Sequence, residues 1–245
     1  MGSFYNVLVD RLPNGQDVVK SRSECSFCHT VLKWYDLFPV FSYLFLKGRC
    51  RYCGEKLSPR YLLSELAVGG LFLLEFFVFR QNMDVPQMIA ELALWSMLFV
   101  VAMMDWKYGI VMDRILVIFT VIGVAALLIG KVRISRILLG AAAGFALYGL
   151  VYVLARLFYK REAFGVGDVL LLTAAGAFLG PVHVLIAGFL SFYCCLLFLI
   201  VPLIKKKGAL RGQEFPFAPP VCLAVLIMSL FGDRITGFLG RLLGF

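Results

Sequence analysis

Long apolar runs separated by short charged breaks make up the chain from Tyr61 onward. A run of about 20 apolar residues is long enough to cross the hydrocarbon core of a bilayer as an α-helix. The pattern predicts an all-α polytopic membrane protein with about seven transmembrane helices, near residues 61–79, 86–104, 114–130, 135–157, 168–180, 182–203 and 217–231. The run at 168–180 is short, so we expect that helix to begin inside the protein or to pack against its neighbours.

Residues 1–60 have a different pattern, because they are polar, basic and rich in cysteine, with only short apolar stretches. We therefore expect two domains, a cytoplasmic domain over 1–60 and a transmembrane domain over 61–245. In the last stretch, from Asp233, Arg234 and Arg241 lie among apolar residues, which fits an interfacial amphipathic helix.

Composition places the protein among integral membrane proteins. The chain has 245 residues, 61% of them hydrophobic and 16% charged, against about 45–50% apolar and about 25% charged in soluble domains. Its formal net charge of +9 is concentrated near segment ends, which indicates topology and contact with anionic membrane lipid. The sequence has no basic strand with interleaved aromatic residues, so nothing in it indicates nucleic-acid binding. The N-terminus lacks the apolar region of a signal peptide.

The basic residues also predict an orientation, because cytoplasmic loops are rich in Lys and Arg. With seven spans, four basic regions fall on one side, namely 1–60, the break with Lys107 and Arg114, the break with Lys160 and Arg161, and 205–211. One break disagrees, since Lys131, Arg133 and Arg136 would lie outside. We expect a multi-pass membrane protein with Asp105, Asp113 and Asp168 on the cytoplasmic side.

Four of the seven cysteines form a CxxC…CxxC pair, Cys25, Cys28, Cys50 and Cys53. Four thiolates make the closed tetrahedral site of a structural Zn²⁺, and disulfides are disfavoured in the cytoplasm. The alternative is free thiols or a redox pair. A four-thiolate zinc has no open position, so we expect it to fold the small domain rather than to catalyse. His29 is expected to be a neighbour of the site and not a ligand.

Two aspartates lie at the edges of apolar runs. Asp105 ends one run, and Asp168 begins another directly behind Gly165-Val166-Gly167. Carboxylates at membrane depth point to function, and two that face each other share a proton and activate water, which is aspartyl-protease chemistry. Glycines at 165 and 167 would let a substrate backbone approach. The alternative is that Asp168 is an N-cap and Asp105 pairs with Lys107 or Arg114.

Other acidic positions are weaker candidates. Asp113 opens an apolar run and is expected to be a helix cap. Glu65 lies near the predicted cytoplasmic edge, where it would bind a polar ligand or a cationic partner. His183 is too isolated to be given a role.

Five segments in order resemble the type 4 prepilin peptidases, which are GxGD-type membrane aspartyl proteases. They are GSFYNVLVDRLP at 2–13, the cysteine block with WYD and GRCRYCG within 25–65, the segment from Asp105 to Asp113, GVGD at 165–168 and FPFAPP at 215–220. GxGD alone is weak, but the cysteine block followed by two aspartates in a membrane context is highly specific. The resemblance covers nearly the whole chain.

The resemblance implies cleavage of the basic leader of type IV prepilins or pseudopilins after a glycine, on the cytoplasmic face. It assigns catalysis to Asp105 and Asp168 and the tetracysteine site to Cys25, Cys28, Cys50 and Cys53. Bifunctional members then methylate the new N-terminus from S-adenosylmethionine. Family members that methylate carry the tetracysteine domain. The substrate, whether of pili, of secretion pseudopili or of competence pili, is left open.

The chain departs from the family pattern in three places. Met112 stands where a proline is common, and Leu170 stands where a lysine usually follows GxGDV. The family also has an apolar helix before the GSF motif at which this chain begins, and with that helix it has eight spans.

Two other hypotheses compete with a bifunctional enzyme. One is a peptidase-only or inactive relative whose cytoplasmic domain serves assembly. The other is a solute transporter or zinc-bearing scaffold, which predicts that Asp105 and Asp168 are far apart or face a through-going cavity.

Overall fold

The computed structural model describes residues 2–18, 22–25, 27–38, 40–79, 84–159, 164–205 and 216–243. The chain divides into two compact units, Met1–Gln81 and Asn82–Phe245. Within the described ranges, regular structure is helical apart from two isolated β-bridges. The prediction of an all-α fold is therefore confirmed. The Lys160/Arg161 break and the 206–211 part of the basic loop fall outside these ranges.

The part of the N-terminal unit that the structure describes has three α-helices and the cysteine-bearing turns. The helices are α1 (Gly2–Arg11), α2 (Phe41–Phe45) and α3 (Arg60–Phe79). Polar contacts join α1 to α3 along their length. Asn6 Nδ2 donates to Ser64 Oγ at 2.6 Å, and Arg60 Nη2 contacts the two carboxylate oxygens of Asp10 at 2.6 and 2.8 Å. Because α3 packs on α1, this compact unit extends beyond residue 60. The division into domains 1–60 and 61–245 remains a prediction.

In the described residues of the second unit there are six helices, α4 (Val85–Tyr108), α5 (Asp113–Ile129), α6 (Ile134–Tyr159), α7 (Val166–Leu179), α8 (Pro181–Lys205) and α9 (Ala218–Leu243). The helix α7 has only 14 residues, most of them buried, and it contacts each of the other five. It is therefore the centre of this unit, and the expectation that the short run packs against its neighbours is met. The tail continues α9 and does not start a helix of its own.

Each of the seven apolar runs predicted from the sequence is a helix, α3 to α9. Within the described part of the chain, α4, α6, α8 and α9 are long and apolar enough to cross a membrane. By the same measure α7 is a shorter apolar helix, and α5 has 17 residues. Four candidate spans fit a membrane protein, and the count of seven crossings is not reached by length and composition.

Close contact between α6 and α7 depends on glycine. A Cβ on Gly140 would lie 2.0 Å from the carbonyl oxygen of Gly176, and a Cβ on Gly144 would lie 2.4 Å from that of Leu172. Helices in membranes associate through small residues that let their backbones approach. The many small residues in these two segments therefore let α6 and α7 pack closely.

Replacing Gly144 with alanine is expected to destabilise the protein, by about 1–3 kcal/mol, because the new methyl group overlaps a backbone carbonyl that cannot move alone. Gly149 on the same helix provides the control. A Cβ there has its nearest neighbour at 3.9 Å, and alanine favours a helix over glycine by about 1 kcal/mol. Thermal melting in detergent should give Gly144→Ala the lower midpoint and Gly149→Ala an equal or higher one. Equal midpoints for the two variants would contradict this account of the α6–α7 contact.

Candidate active site and metal centre

Asp105 lies in the last turn of α4 and is 7% exposed. Its Oδ2 accepts a hydrogen bond from the backbone N–H of Ala218, the first residue of α9, at 2.9 Å. This carboxylate is therefore held by a helix N-terminus, where unpaired backbone N–H groups favour a negative charge. The sequence suggested a pairing of Asp105 with Lys107 or Arg114. The hydrogen bond that the structure describes for this carboxylate comes instead from Ala218.

Asp168 is the third residue of α7 and is 8% exposed. Gly165 is the N-cap of this helix, and the backbone N–H of Asp168 donates to Gly165 O at 3.2 Å. Asp168 thus lies in the first turn of α7, where a negative charge is favoured, although it is not the N-cap residue itself.

The structure brings Asp105 and Asp168 together. Their carboxylates are close enough for the charge of one to act on the other, and both act on the buried thiol of Cys222 in α9. The sequence separates the two aspartates by a whole helical hairpin, α5 and α6, so this proximity is a product of the tertiary fold. Two neighbouring carboxylates can share one proton and hold a water molecule between them.

The two glycines before Asp168 have different surroundings. A Cβ on Gly165 would lie 3.1 Å from Oδ2 of Asp168, whereas a Cβ on Gly167 would lie 2.7 Å from the Cβ of Val111, between α4 and α5. Glycine at 165 therefore leaves the carboxylate uncovered, and glycine at 167 lets the start of α7 approach Val111. That either glycine admits a substrate backbone stays a prediction.

An aromatic cluster borders the two aspartates, and the sequence reasoning did not single it out. It consists of Tyr148, Phe164, Phe192 and Phe217, with ring centroids 5.2–6.2 Å apart in the contacting pairs. Tyr148 is fully buried, and the charge of Asp168 acts on it. Phe217 belongs to the FPFAPP segment, and this segment was the one feature of the sequence that could have pointed to the cluster.

This cluster also joins the two backbone segments that contact the carboxylates. Phe164 directly precedes Gly165, and Phe217 directly precedes Ala218. Their rings are in edge-to-face contact at 5.3 Å, an arrangement that stabilises aromatic pairs. The Phe164–Phe217 contact therefore joins the segment that leads into α7 to the segment that leads into α9.

The four cysteines predicted to bind a metal lie on two turns with the same hydrogen-bond pattern. In the first turn Cys25 N–H donates to Thr30 O at 3.1 Å, and His29 N–H donates to Cys25 O at 2.9 Å. In the second turn the same bonds recur 25 residues later, from Cys50 to Glu55 at 2.8 Å and from Gly54 to Cys50 at 3.0 Å. An isolated β-bridge closes each turn.

His29 corresponds to Gly54 in this repeat. Both residues have left-handed backbones, with φ of 53° and 73°, a conformation that turns the chain back after the second cysteine. The imidazole of His29 is exposed, and its Nδ1 lies 3.7 Å from a carboxylate oxygen of Glu24. The expectation that His29 is a neighbour and not a ligand agrees with this position.

The sulfur atoms of Cys25, Cys28, Cys50 and Cys53 all lie within 4.8 Å of one another. A tetrahedral zinc with Zn–S bonds of about 2.3 Å requires sulfurs about 3.8 Å apart, and the Cys25 and Cys53 sulfurs are 3.9 Å apart. Hydrogen bonds to Thr30 lower the pKa of the Cys28 thiol to about 6, whereas burial and the neighbouring thiols raise the pKa of the Cys53 thiol to about 12. This donor set could hold a metal ion.

Asp36 of the WYD motif holds the second cysteine turn in place. Its carboxylate accepts hydrogen bonds from Arg51 Nε at 2.7 Å and Tyr52 OH at 2.9 Å, both between Cys50 and Cys53. The side chain is 3% exposed. Burial opposes its ionisation, but these bonds and the Lys33 N–H together lower the pKa of Asp36 below its ordinary value. The WYD and CRYC motifs are thus one structural feature.

Two family models match the chain. The Bacterial Peptidase A24 N-terminal domain matches residues 1–79, and the Type IV leader peptidase family matches residues 92–200. The division between the two matches agrees with the boundary between the compact units. No solved structure matches the chain.

Among characterised relatives, three proteins carry the name prepilin leader peptidase/N-methyltransferase. The one from Bacillus subtilis is 30% identical over 97% of this chain and 93% of the relative. The one from Klebsiella pneumoniae is 37% identical over 73% of this chain and 80% of the relative. The one from Myxococcus xanthus is 37% identical over 73% of this chain, which spans about half (53%) of that longer protein.

Proposed function

This chain belongs to the type IV leader peptidase family, and on that basis we propose that it removes the leader peptide from type IV prepilins or pseudopilins and then methylates the new N-terminus. The proposal is carried by one observation, two buried carboxylates from α4 and α7 of which the charge of one acts on the other. Those two residues, Asp105 and Asp168, are the proposed catalytic pair. A transporter or scaffold would not need two carboxylates that interact in this way.

Hydrolysis by this pair needs one ionised and one protonated carboxyl group. The ionised group takes a proton from a water molecule as the water oxygen bonds to the carbonyl carbon of the scissile peptide. The protonated group then gives its proton to the departing amide nitrogen as the C–N bond breaks. The backbone N–H of Ala218 holds the Asp105 carboxylate in place for both transfers.

Membrane insertion is proposed to include all seven helices α3 to α9. A 17-residue helix such as α5 is about 26 Å long, close to the hydrocarbon thickness of about 30 Å. Alternating passes from α4 to α7 bring the C-terminal end of α4 and the N-terminal end of α7 to the same side, as the two aspartates require. Two basic residues, Lys107 and Arg114, follow Asp105 in the chain. They favour a position of this end of α4 on the cytoplasmic side of the bacterial inner membrane.

The cysteine site is proposed to bind one structural Zn²⁺ through Cys25, Cys28, Cys50 and Cys53. The four-sulfur donor set supports zinc, and it leaves no open coordination position for catalysis. The ion would hold together two turns that have few apolar contacts of their own.

S-adenosylmethionine is the proposed methyl donor. When bound it would supply an electrophilic methyl group to the neutral α-amino nitrogen of the cut pilin. The cut therefore has to come first, because it creates the amine.

Co-production with a prepilin that carries a basic leader tests the proposed activities. We expect the N-terminal mass of the pilin to fall by the leader up to its glycine, and to rise by one methyl group. Cleavage without the methyl group would indicate a peptidase-only relative. An uncut prepilin beside a stably inserted enzyme would contradict the proposal and favour a transporter or scaffold.

A further inference from the structure

An exposed apolar surface lies on the segment between the two cysteine turns, and it is here called the aromatic surface. Its five side chains are between 54% and 84% exposed, and they are Trp34, Phe38, Phe41, Leu44 and Phe45. The rings of Phe38 and Phe41 are in contact, with centroids 6.1 Å apart, and both line one groove together with Phe45. A contiguous apolar patch that is exposed in this way marks an interaction site. Neither the proposed proteolysis nor the cysteine site uses it.

The local structure turns these side chains outward. Phe41, Leu44 and Phe45 are spaced as i, i+3 and i+4 in α2, so they share one face of that helix. Their neighbours Ser42 and Tyr43 donate hydrogen bonds to backbone carbonyls of the same unit, at 2.7 and 3.2 Å. One side of the segment is therefore bonded to the unit, and the aromatic surface is its free side.

The aromatic surface is tied to α3 near the polar end of that helix. The Val40 N–H, next to α2, donates to the Glu65 carboxylate at 2.8 Å. Glu65 is the sixth residue of α3, about 8 Å along the helix from Arg60, and the head-group layer on each side of a bilayer is about 5–8 Å thick. The helix also exposes apolar side chains from Leu63 to Phe77. An inserted α3 therefore holds the aromatic surface at the boundary between head groups and hydrocarbon.

The charges around the aromatic surface favour an anionic partner. Residues 33–51 contain four basic residues, and their only acidic residue is Asp36. The Asp36 side chain is 3% exposed and is paired with Arg51, whereas Lys33 and Lys47, which precede and follow the surface in the chain, are exposed. Aromatic and aliphatic side chains flanked by lysines are typical of segments that lie in the membrane interface, where anionic lipids attract the cations.

We propose that the aromatic surface is a membrane-docking surface, which inserts into the head-group region of an anionic bilayer. The inference rests on the insertion of α3 given under the proposed function. Docking buries the five apolar side chains, places Lys33 and Lys47 beside lipid phosphates, and holds the cysteine turns close to the bilayer. A second copy of the chain fits less well, because a symmetric contact would bring the same cations face to face.

Photocrosslinking from three positions tests the docking. The photoreactive residue p-benzoylphenylalanine replaces Phe45, Leu73 on α3 or Asn14 in the full chain, in vesicles of phosphatidylcholine and phosphatidylglycerol. Asn14 is exposed and follows the end of α1 that pairs with Arg60, so it should face water. Mass spectrometry after illumination measures phospholipid adducts. We expect positions 45 and 73 to give at least about tenfold more lipid adduct than position 14.

A charge variant tests the preference for anionic lipid. Lys33→Gln combined with Lys47→Gln keeps all five apolar side chains of the aromatic surface. We expect the yield of phosphatidylglycerol adduct at position 45 to fall several-fold relative to the phosphatidylcholine adduct, because two cations near the surface are lost. An unchanged ratio of the two adducts would overturn the assignment of an anionic partner. Full zinc content in each variant shows that the cysteine turns are folded.

The crosslinked partner separates the competing explanations. Adducts at position 45 to a second copy or to added pilin instead of lipid, beside lipid adducts at position 73, would overturn the inference. Equal lipid labelling at positions 45 and 14 would also overturn it. No lipid labelling at position 73 would contradict the insertion of α3, and the inference with it. Leader cleavage and pilin methylation by the same preparations test the proposed activities separately.

Discussion

Asp168→Asn is expected to lower the rate of leader cleavage by about 10²–10⁴-fold, the contribution typical of a positioned acid or base. Asparagine has the same shape as aspartate, so α7 should form and the protein should still insert. It cannot hold or release the proton that hydrolysis requires. Initial rates with a synthetic prepilin, measured on purified enzyme of equal melting temperature, provide the comparison. Asp105→Asn should cause a loss of the same order, because both carboxylates are needed.

If Asp105 and Asp168 act as a pair, the rate of the double variant can also be predicted. The double variant should be about as slow as either single variant, because removing one member already disables the pair. Asp113→Asn is the matched control, since Asp113 is exposed in the first turn of α5 and should retain cleavage within about twofold. A double variant whose loss in cleavage rate equals the product of the two single losses would contradict a shared function. So would substantial cleavage by either single variant.

Cys25→Ser is expected to abolish zinc binding, from about one ion per chain to nearly none, and to unfold the cysteine turns. Structural zinc sites of this kind contribute about 10–16 kcal/mol of apparent binding free energy, which is also folding free energy. Elemental analysis of the purified protein measures the metal, and limited proteolysis between residues 22 and 58 measures the loss of structure. Some leader cleavage should remain, because both aspartates belong to the other unit.

The matched control for that change is Cys194→Ser. Cys194 is also buried, but it lies in α8, so its variant should keep its zinc. Unchanged metal content in Cys25→Ser would contradict the metal site. A metal content reduced equally in both variants would mean that the loss is not specific to the four-sulfur set.

Hydropathy was sufficient to find the helices. A helix in a membrane satisfies its backbone hydrogen bonds within its own segment, so a long apolar run is enough to predict one. Each predicted run is a helix, and the short run at 168–180 became the central helix α7. The number of crossings was harder, since α5 and α7 are shorter than a full span and their insertion depends on neighbours. The cysteine pairs were predicted from spacing because a metal imposes the same local turn at each pair.

The proximity of Asp105 and Asp168 could not be derived from spacing. It depends on how α4, α7 and α9 pack, and on glycines such as Gly140 and Gly144 that let α6 approach α7. The aromatic cluster around Tyr148 was missed for the same reason, because its rings come from separate segments and resemble ordinary core residues.

The most direct test of the central claim is the N-terminal mass of a prepilin incubated with wild type, Asp105→Asn, Asp168→Asn and Asp113→Asn. The account predicts a pilin shortened by its leader for wild type and Asp113→Asn, and an intact prepilin for the other two. A shortened pilin produced by Asp105→Asn or Asp168→Asn would show that the two carboxylates are not the proteolytic pair.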